Sequence, residues 1–184
     1  DYLHEKLYSY HVLQADETPV LVNKDGRPAG SKSYMWVYRT GQMYTDRQIV
    51  LYEYQRTRNA SHPREFLKGF HGICVTDGYQ VYHTLEKERE DLRIAGCWAH
   101  ARRRYDEAVK ALPKAARKGS KAYEALAMIQ AIYREEGCLK DLSPGERLTR
   151  RRNSVKPLVE AYFAWVHEKV GQVAEKSKTW KGLQ

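Results

Sequence analysis

At 184 residues, 42% hydrophobic and 30% charged, the chain has the size and apolar content of one globular domain, which excludes disordered and fibrous classes. No run nears the ~20 apolar residues of a membrane helix, residues 1–11 lack the apolar stretch of a secretory signal, and Cys74, Cys97 and Cys138 are too few for a disulfide framework, so a reducing cytoplasmic setting is expected. Lys and Arg number 32 against 23 Asp and Glu, a formal charge of +9, which points to a polyanionic partner with nucleic acid as the first candidate.

In chain order, residues 12–16 open a strand that resumes at 20–22, and Lys24-Asp25-Gly26-Arg27-Pro28 supplies turn chemistry. Residues 33–38 form the hairpin partner, ended by Thr40-Gly41, and 49–54 add a third strand, which predicts an antiparallel meander. Pro63 suits the first position of a helix, Glu65 its positive end and Gly69 its stop. The segment 72–76 is nearly free of polar residues and reads as a strand covered on both faces, stopped by Asp77-Gly78. A helix over 81–89 and a strand over 92–97 complete a β-β-β-α-β-α-β order, hence an α/β fold with a mixed five-stranded sheet flanked by helices. Residues 99–112, 121–136, 144–152 and 155–173 have helical spacing and form an all-α addition after the fifth strand. The expected division is a sheet-bearing core over 1–112 and a helical region over 113–184, which stops without a helix cap or polar tail, as a segment of a larger protein would.

Two acids stand out by position. Asp16 lies in the first strand and Asp77 ends the fourth; neighbouring strands are ~4.8 Å apart, so side-by-side strands would set the carboxylates facing one another. Such a pair repels unless a hard cation such as Mg²⁺ lies between, the basis of a two-metal phosphodiester site. Each also has a bland reading, Asp16 before a Pro19 bend and Asp77-Gly78 as a turn dipeptide.

Five ordered blocks narrow the choice. Ala15-Asp16-Glu17-Thr18-Pro19-Val20, Tyr34-Met35-Trp36-Val37-Tyr38-Arg39-Thr40-Gly41, His62-Pro63-Arg64-Glu65-Phe66-Leu67, Thr76-Asp77-Gly78-Tyr79 and Gly96-Cys97-Trp98-Ala99-His100-Ala101-Arg102-Arg103 resemble the catalytic region of bacterial insertion-sequence transposases of the IS66 family. Leu142-Ser143-Pro144-Gly145-Glu146-Arg147-Leu148 resembles that family's helical region, so the resemblance covers most of the chain. It implies a DDE transposase with an RNase H-like fold, using Mg²⁺ or Mn²⁺ for phosphodiester hydrolysis and strand transfer on double-stranded DNA, as an oligomer at the bacterial nucleoid. Asp16 matches the first acidic residue of the triad and Asp77 the second, both as metal ligands; Cys97 and His100 match a Cys-x-x-His motif of less settled role. The third acid of the family, a Glu in an Asn-Asn-x-x-Glu-type motif, has no match here, so the chain is expected to end before it and to be inactive alone. Glu135, Glu136, Glu160 and Glu168 read as solvated faces or i,i+4 partners. A catalytically dead DNA-binding derivative and another RNase H-like nuclease remain as alternatives.

Cys97 and His100 would supply half of a zinc site, but no second ligand pair is evident, so a small buried thiol and a local hydrogen bond is the simpler reading. Arg102, Arg103 and Arg104, with Arg150 and Arg151, are the expected DNA-phosphate contacts; Arg39, Arg56 and Arg58 near strand ends are further candidates. Among the 14 tyrosines, Tyr34, Tyr38, Tyr52 and Tyr54, with Trp36, alternate as strand residues that pack across a sheet.

Overall fold

In the computed structural model, which describes residues 2–41, 43–44 and 47–183, β1 (Val12–Val22), β2 (Ser31–Thr40), β3 (Val50–Gln55), β4 (Gly72–Thr76) and β5 (Leu92–Gly96) form one sheet in the order β3-β2-β1-β4-β5. The period of two in β1 buries Leu13, Ala15 and Glu17 and leaves Val12, Gln14 and Asp16 half-buried on the other face. β1 pairs antiparallel with β2 from Leu13↔Thr40 to Val22↔Ser31, and β2 pairs antiparallel with β3. Toward the other edge, β1–β4 and β4–β5 are parallel. A three-stranded antiparallel meander continued by two parallel strands is the mixed five-stranded sheet expected from the order of elements.

β1 is continuous through Pro19, where an interruption is expected. Its ladder with β4 covers only Val12 to Gln14, so the β1 edge at Pro19 carries no β4 pairing and a missing N–H there costs no ladder bond. The helices α1 (Tyr2–Tyr8), α2 (Ser61–Phe66) and α3 (Gln80–Glu88) bring Leu7, Tyr82 and Leu85 against Leu13, Trp36, Tyr38 and Cys74, with Leu67 and Phe70 following α2. Tyr38 stacks on Phe66 with ring centroids 3.4 Å apart. Trp36 and Tyr38 are core residues as expected, whereas Tyr52 (69% exposed) and Tyr54 project from the outer face of edge strand β3. α1 carries no strong sequence signal; one buried residue, Leu7, ties it to the core.

The chain divides into two compact units, residues 1–97 and 98–184. The second contains α4 (Trp98–Lys110), α5 (Lys121–Gly137), α6 (Pro144–Arg150), α7 (Lys156–Lys169) and α8 (Lys178–Leu183). Ser143 and Glu146 form a reciprocal capping box at the start of α6. One π-helical turn, Arg151–Val155, joins α6 to α7. The division at 97/98 differs from that expected at 112: Tyr105, Ala108 and Val109 of α4 share a core with Ala125 and Ile129 of α5 and Leu183 of α8, so α4 groups with the helices. Among the described residues no helix is long and apolar enough to cross a membrane.

Candidate active site

β1 and β4 lie side by side. Their parallel ladder pairs Leu13 with Cys74 and Gln14 with Val75; continued by two residues, it sets Asp16 level with Asp77. The β4–β5 ladder ends at Thr76↔Gly96, and the Cys97 N–H donates to the Thr76 carbonyl at 2.8 Å, so Cys97 follows in the same row as Asp77. Asp77 and Cys97 therefore directly follow the carboxyl ends of β4 and β5, the side on which an open α/β sheet places its ligands, and Asp16, in the interior of β1, lies two residues past the last β1–β4 pair.

Backbone N–H groups orient both carboxylates. Asp16 Oδ1 accepts from the Glu17 N–H at 2.9 Å, and Asp77 Oδ1 accepts from the Tyr79 N–H at 2.9 Å. The second bond is the Asx turn expected of Asp77-Gly78. Asp77 Oδ2 lies 3.9 Å from Arg58 Nη2. Two carboxylates suit a hard divalent cation in kind, yet among the described residues no group of three or more His, Cys, Asp or Glu is placed to hold a metal ion.

Arg58 and Glu17 form a network that sequence reasoning did not single out as a pair. Glu17 points to the core face of β1, its side chain only 1% exposed, and is paired with Arg58. Arg58 Nε donates to Glu17 Oε1 at 2.6 Å and the Tyr82 hydroxyl to Oε2 at 3.2 Å. Burial pushes the Glu17 carboxyl above its ordinary range, with Arg58 pulling the other way. The Arg58 guanidinium lies 3.7 Å from the centroid of the Tyr79 ring, whose hydroxyl donates to the Arg58 carbonyl at 2.7 Å. One signal was available: Glu17 shares the register of Leu13 and Ala15, and an acid at an inward position demands a partner.

The remaining expected residues are dispersed. His100 sits half-buried in the first turn of α4, in the helical unit, while Cys97 closes the sheet unit. Arg102 and Arg103 are exposed on α4; Arg104 Nη1 donates to the Lys181 carbonyl at 2.9 Å. Arg150 is exposed at the end of α6, and Arg151 binds Glu136 through two bonds of 2.8 Å. Glu160 pairs with Lys156 one turn away, and Glu168 with Lys169. Arg56 is engaged with the Asp25 carbonyl and Arg39 with Gln48.

A family profile described as "Transposase IS66 family" matches residues 1–184. Among curated proteins, the uncharacterized protein y4qI of Sinorhizobium fredii is 28% identical, with 100% of this chain covering 35% of the relative. The uncharacterized protein y4hP of the same organism is 23% identical, with 100% of this chain covering 37% of the relative. The chain thus spans about a third of the length of these relatives. A chain in the cryoEM structure of a simian T-cell lymphotropic virus intasome with PP2A regulatory subunit B56 gamma aligns at 14% identity over 94% of this chain and 53% of that one, with a TM-score of 0.35.

Proposed function

The chain belongs to the IS66 family of transposases, and from that premise we propose that it carries two of the carboxylates of a DDE-type polynucleotidyl-transfer site, Asp16 and Asp77. The reaction is cleavage and joining of DNA strands during movement of an insertion sequence. The observation that supports this reading is the β1–β4 register, which, continued two residues past Gln14↔Val75, would set Asp16 within β1 level with Asp77 just beyond the end of β4.

In this reading Asp16 and Asp77 would hold Mg²⁺ or Mn²⁺, which when bound activates a water or a DNA 3′-hydroxyl and stabilises the leaving oxygen of an in-line displacement. The chain's own contribution is orientation. The Glu17 and Tyr79 N–H groups each hold one oxygen of an Asp, which limits rotation of the carboxylates without removing their charge. Arg102, Arg103 and Arg150, exposed on the helical unit, would meet DNA phosphates; Arg104 and Arg151, already engaged with Lys181 and Glu136, would contribute less.

The test is metal-dependent nicking of transposon-end DNA by the full-length protein containing this chain. Asp16→Asn and Asp77→Asn should each reduce the rate about a hundredfold or more, and the 184-residue chain alone should nick weakly or not at all. Nicking that survives Asp77→Asn overturns the assignment. DNA binding at low salt with no nicking by the unaltered full-length protein would favour the catalytically dead derivative.

A further inference from the structure

The β1–β4 ladder ends at Gln14↔Val75, two residues short of the carboxylates it brings together. From that point a side chain spans the gap. Arg58, in the loop between β3 and α2, binds Glu17, which immediately follows Asp16, and lies 3.9 Å from Asp77. Its fork is held by the Glu17 carboxylate and by the Tyr79 ring beneath it, and the Tyr79 hydroxyl anchors the Arg58 backbone carbonyl. Glu17 is held in turn by the Tyr82 hydroxyl of α3.

We propose that Arg58 is a positioning residue, a strut between the middle of β1 and the end of β4 that fixes the Asp77 carboxylate relative to Asp16. The proposal rests on the reading of Asp16 and Asp77 as the reacting pair. A buried ion pair is a weak source of stability, since apolar side chains of similar volume commonly serve as well or better. Directional bonds from the planar fork to Glu17, however, fix the guanidinium in a way that apolar packing does not, and its charge, 3.9 Å from Asp77 Oδ2, then acts on that carboxylate from a set position. Arg58 also sets a positive charge between Glu17 and Asp77, which lowers the repulsion between β1 and the end of β4. Lysine at this position would retain the charge but lose both the two-nitrogen grip on Glu17 and the flat stack on Tyr79.

The test uses this chain with three changes: Arg58→Lys, the double replacement Glu17→Met with Arg58→Met, and Asp77→Asn. Crystal structures read the side-chain orientation of Asp77, and Mn²⁺ titration followed by water-proton relaxation reads the carboxylate pair. A positioning role predicts that the Met pair keeps the parent's thermal midpoint within a few degrees. Asp77 in it should leave its Arg58-facing orientation, and Mn²⁺ should bind about tenfold to a hundredfold more weakly. Arg58→Lys should show the same loss with the charge retained, and it carries both readouts alone if the Met pair does not fold. Asp77 unmoved and Mn²⁺ binding unchanged in these variants overturn the proposal. A parent that binds no Mn²⁺, or binds it equally well after Asp77→Asn, defeats the metal-site reading instead; the position of Asp77 in the variant crystals then decides the strut by itself.

Discussion

Glu17 is the residue whose energetics are most exposed to a single change. Its side chain is 1% exposed, and its neighbours on the core face are Leu13, Ala15 and the cross-strand Trp36, so its charge depends on Arg58 and Tyr82. Removing one partner from a fully buried pair costs about 3–5 kcal/mol, and Arg58 is 38% exposed, so Arg58→Ala is expected to cost about 2–3 kcal/mol. Chemical denaturation checks this: an unchanged midpoint would mean that water already reaches Glu17. The inward register of Glu17 is legible in the alternation of β1, but its partner lies 41 residues away in a loop. A loop arginine has no periodicity to mark which way it faces. The DNA-contact reading of Arg58 and its place beside Glu17 are equally compatible with the residue type alone.

Elements with a strong local signal stand close to their expected bounds. β4, β5, α3 and α5 do so because hydrophobic period, Gly stops and flanking turns agree. α8 lacks such agreement, and its position follows from packing. A Cβ on Gly182 would lie 2.6 Å from Tyr105 Cε1, and the Tyr105 ring is fully buried with its hydroxyl 3.0 Å from that of Tyr162. That ring has nowhere to retreat. Gly182→Ala is therefore expected to destabilise the helical unit by about 1–3 kcal/mol, although alanine is the better helix former. Hydrogen exchange should show faster exchange in α8 and in the facing turns of α4, and unaltered protection would mean that α8 is not docked there. Tyr52 and Tyr54 make the complementary point. The alternation marks them as strand residues, but their exposure follows from the face of edge strand β3 they occupy, opposite the core-packed Leu51, which only the packed sheet identifies as the outer one.

Across the chain, both units bury weak acids in their neutral forms. Burial pushes Tyr8 and Cys74 up to about 12, raises Tyr38 and Tyr82 further, and raises Tyr105 and Tyr162 in the helical unit. In the unfolded chain these groups titrate near about 8.5 for Cys and about 10 for Tyr. The folded state therefore holds the protons more tightly, and this stabilisation is complete below about pH 8.5 and is lost as pH rises toward the folded values. Denaturation midpoints should fall steadily between about pH 9 and about pH 11; a flat profile would show that these groups are hydrated.

The order of strands and helices, the mixed sheet and the family resemblance were all legible in the residues, because each depends on spacing or on short blocks contiguous in the chain. The two acids were legible as candidates for the same reason, Asp16 sitting within one recognisable strand and Asp77 at the end of another. The register of β1 against β4, the Glu17–Arg58 pair and the division at 97/98 were not. These depend on which distant segments close against one another. Local periodicity constrains the face a residue presents, while only the packed chain supplies what stands opposite that face.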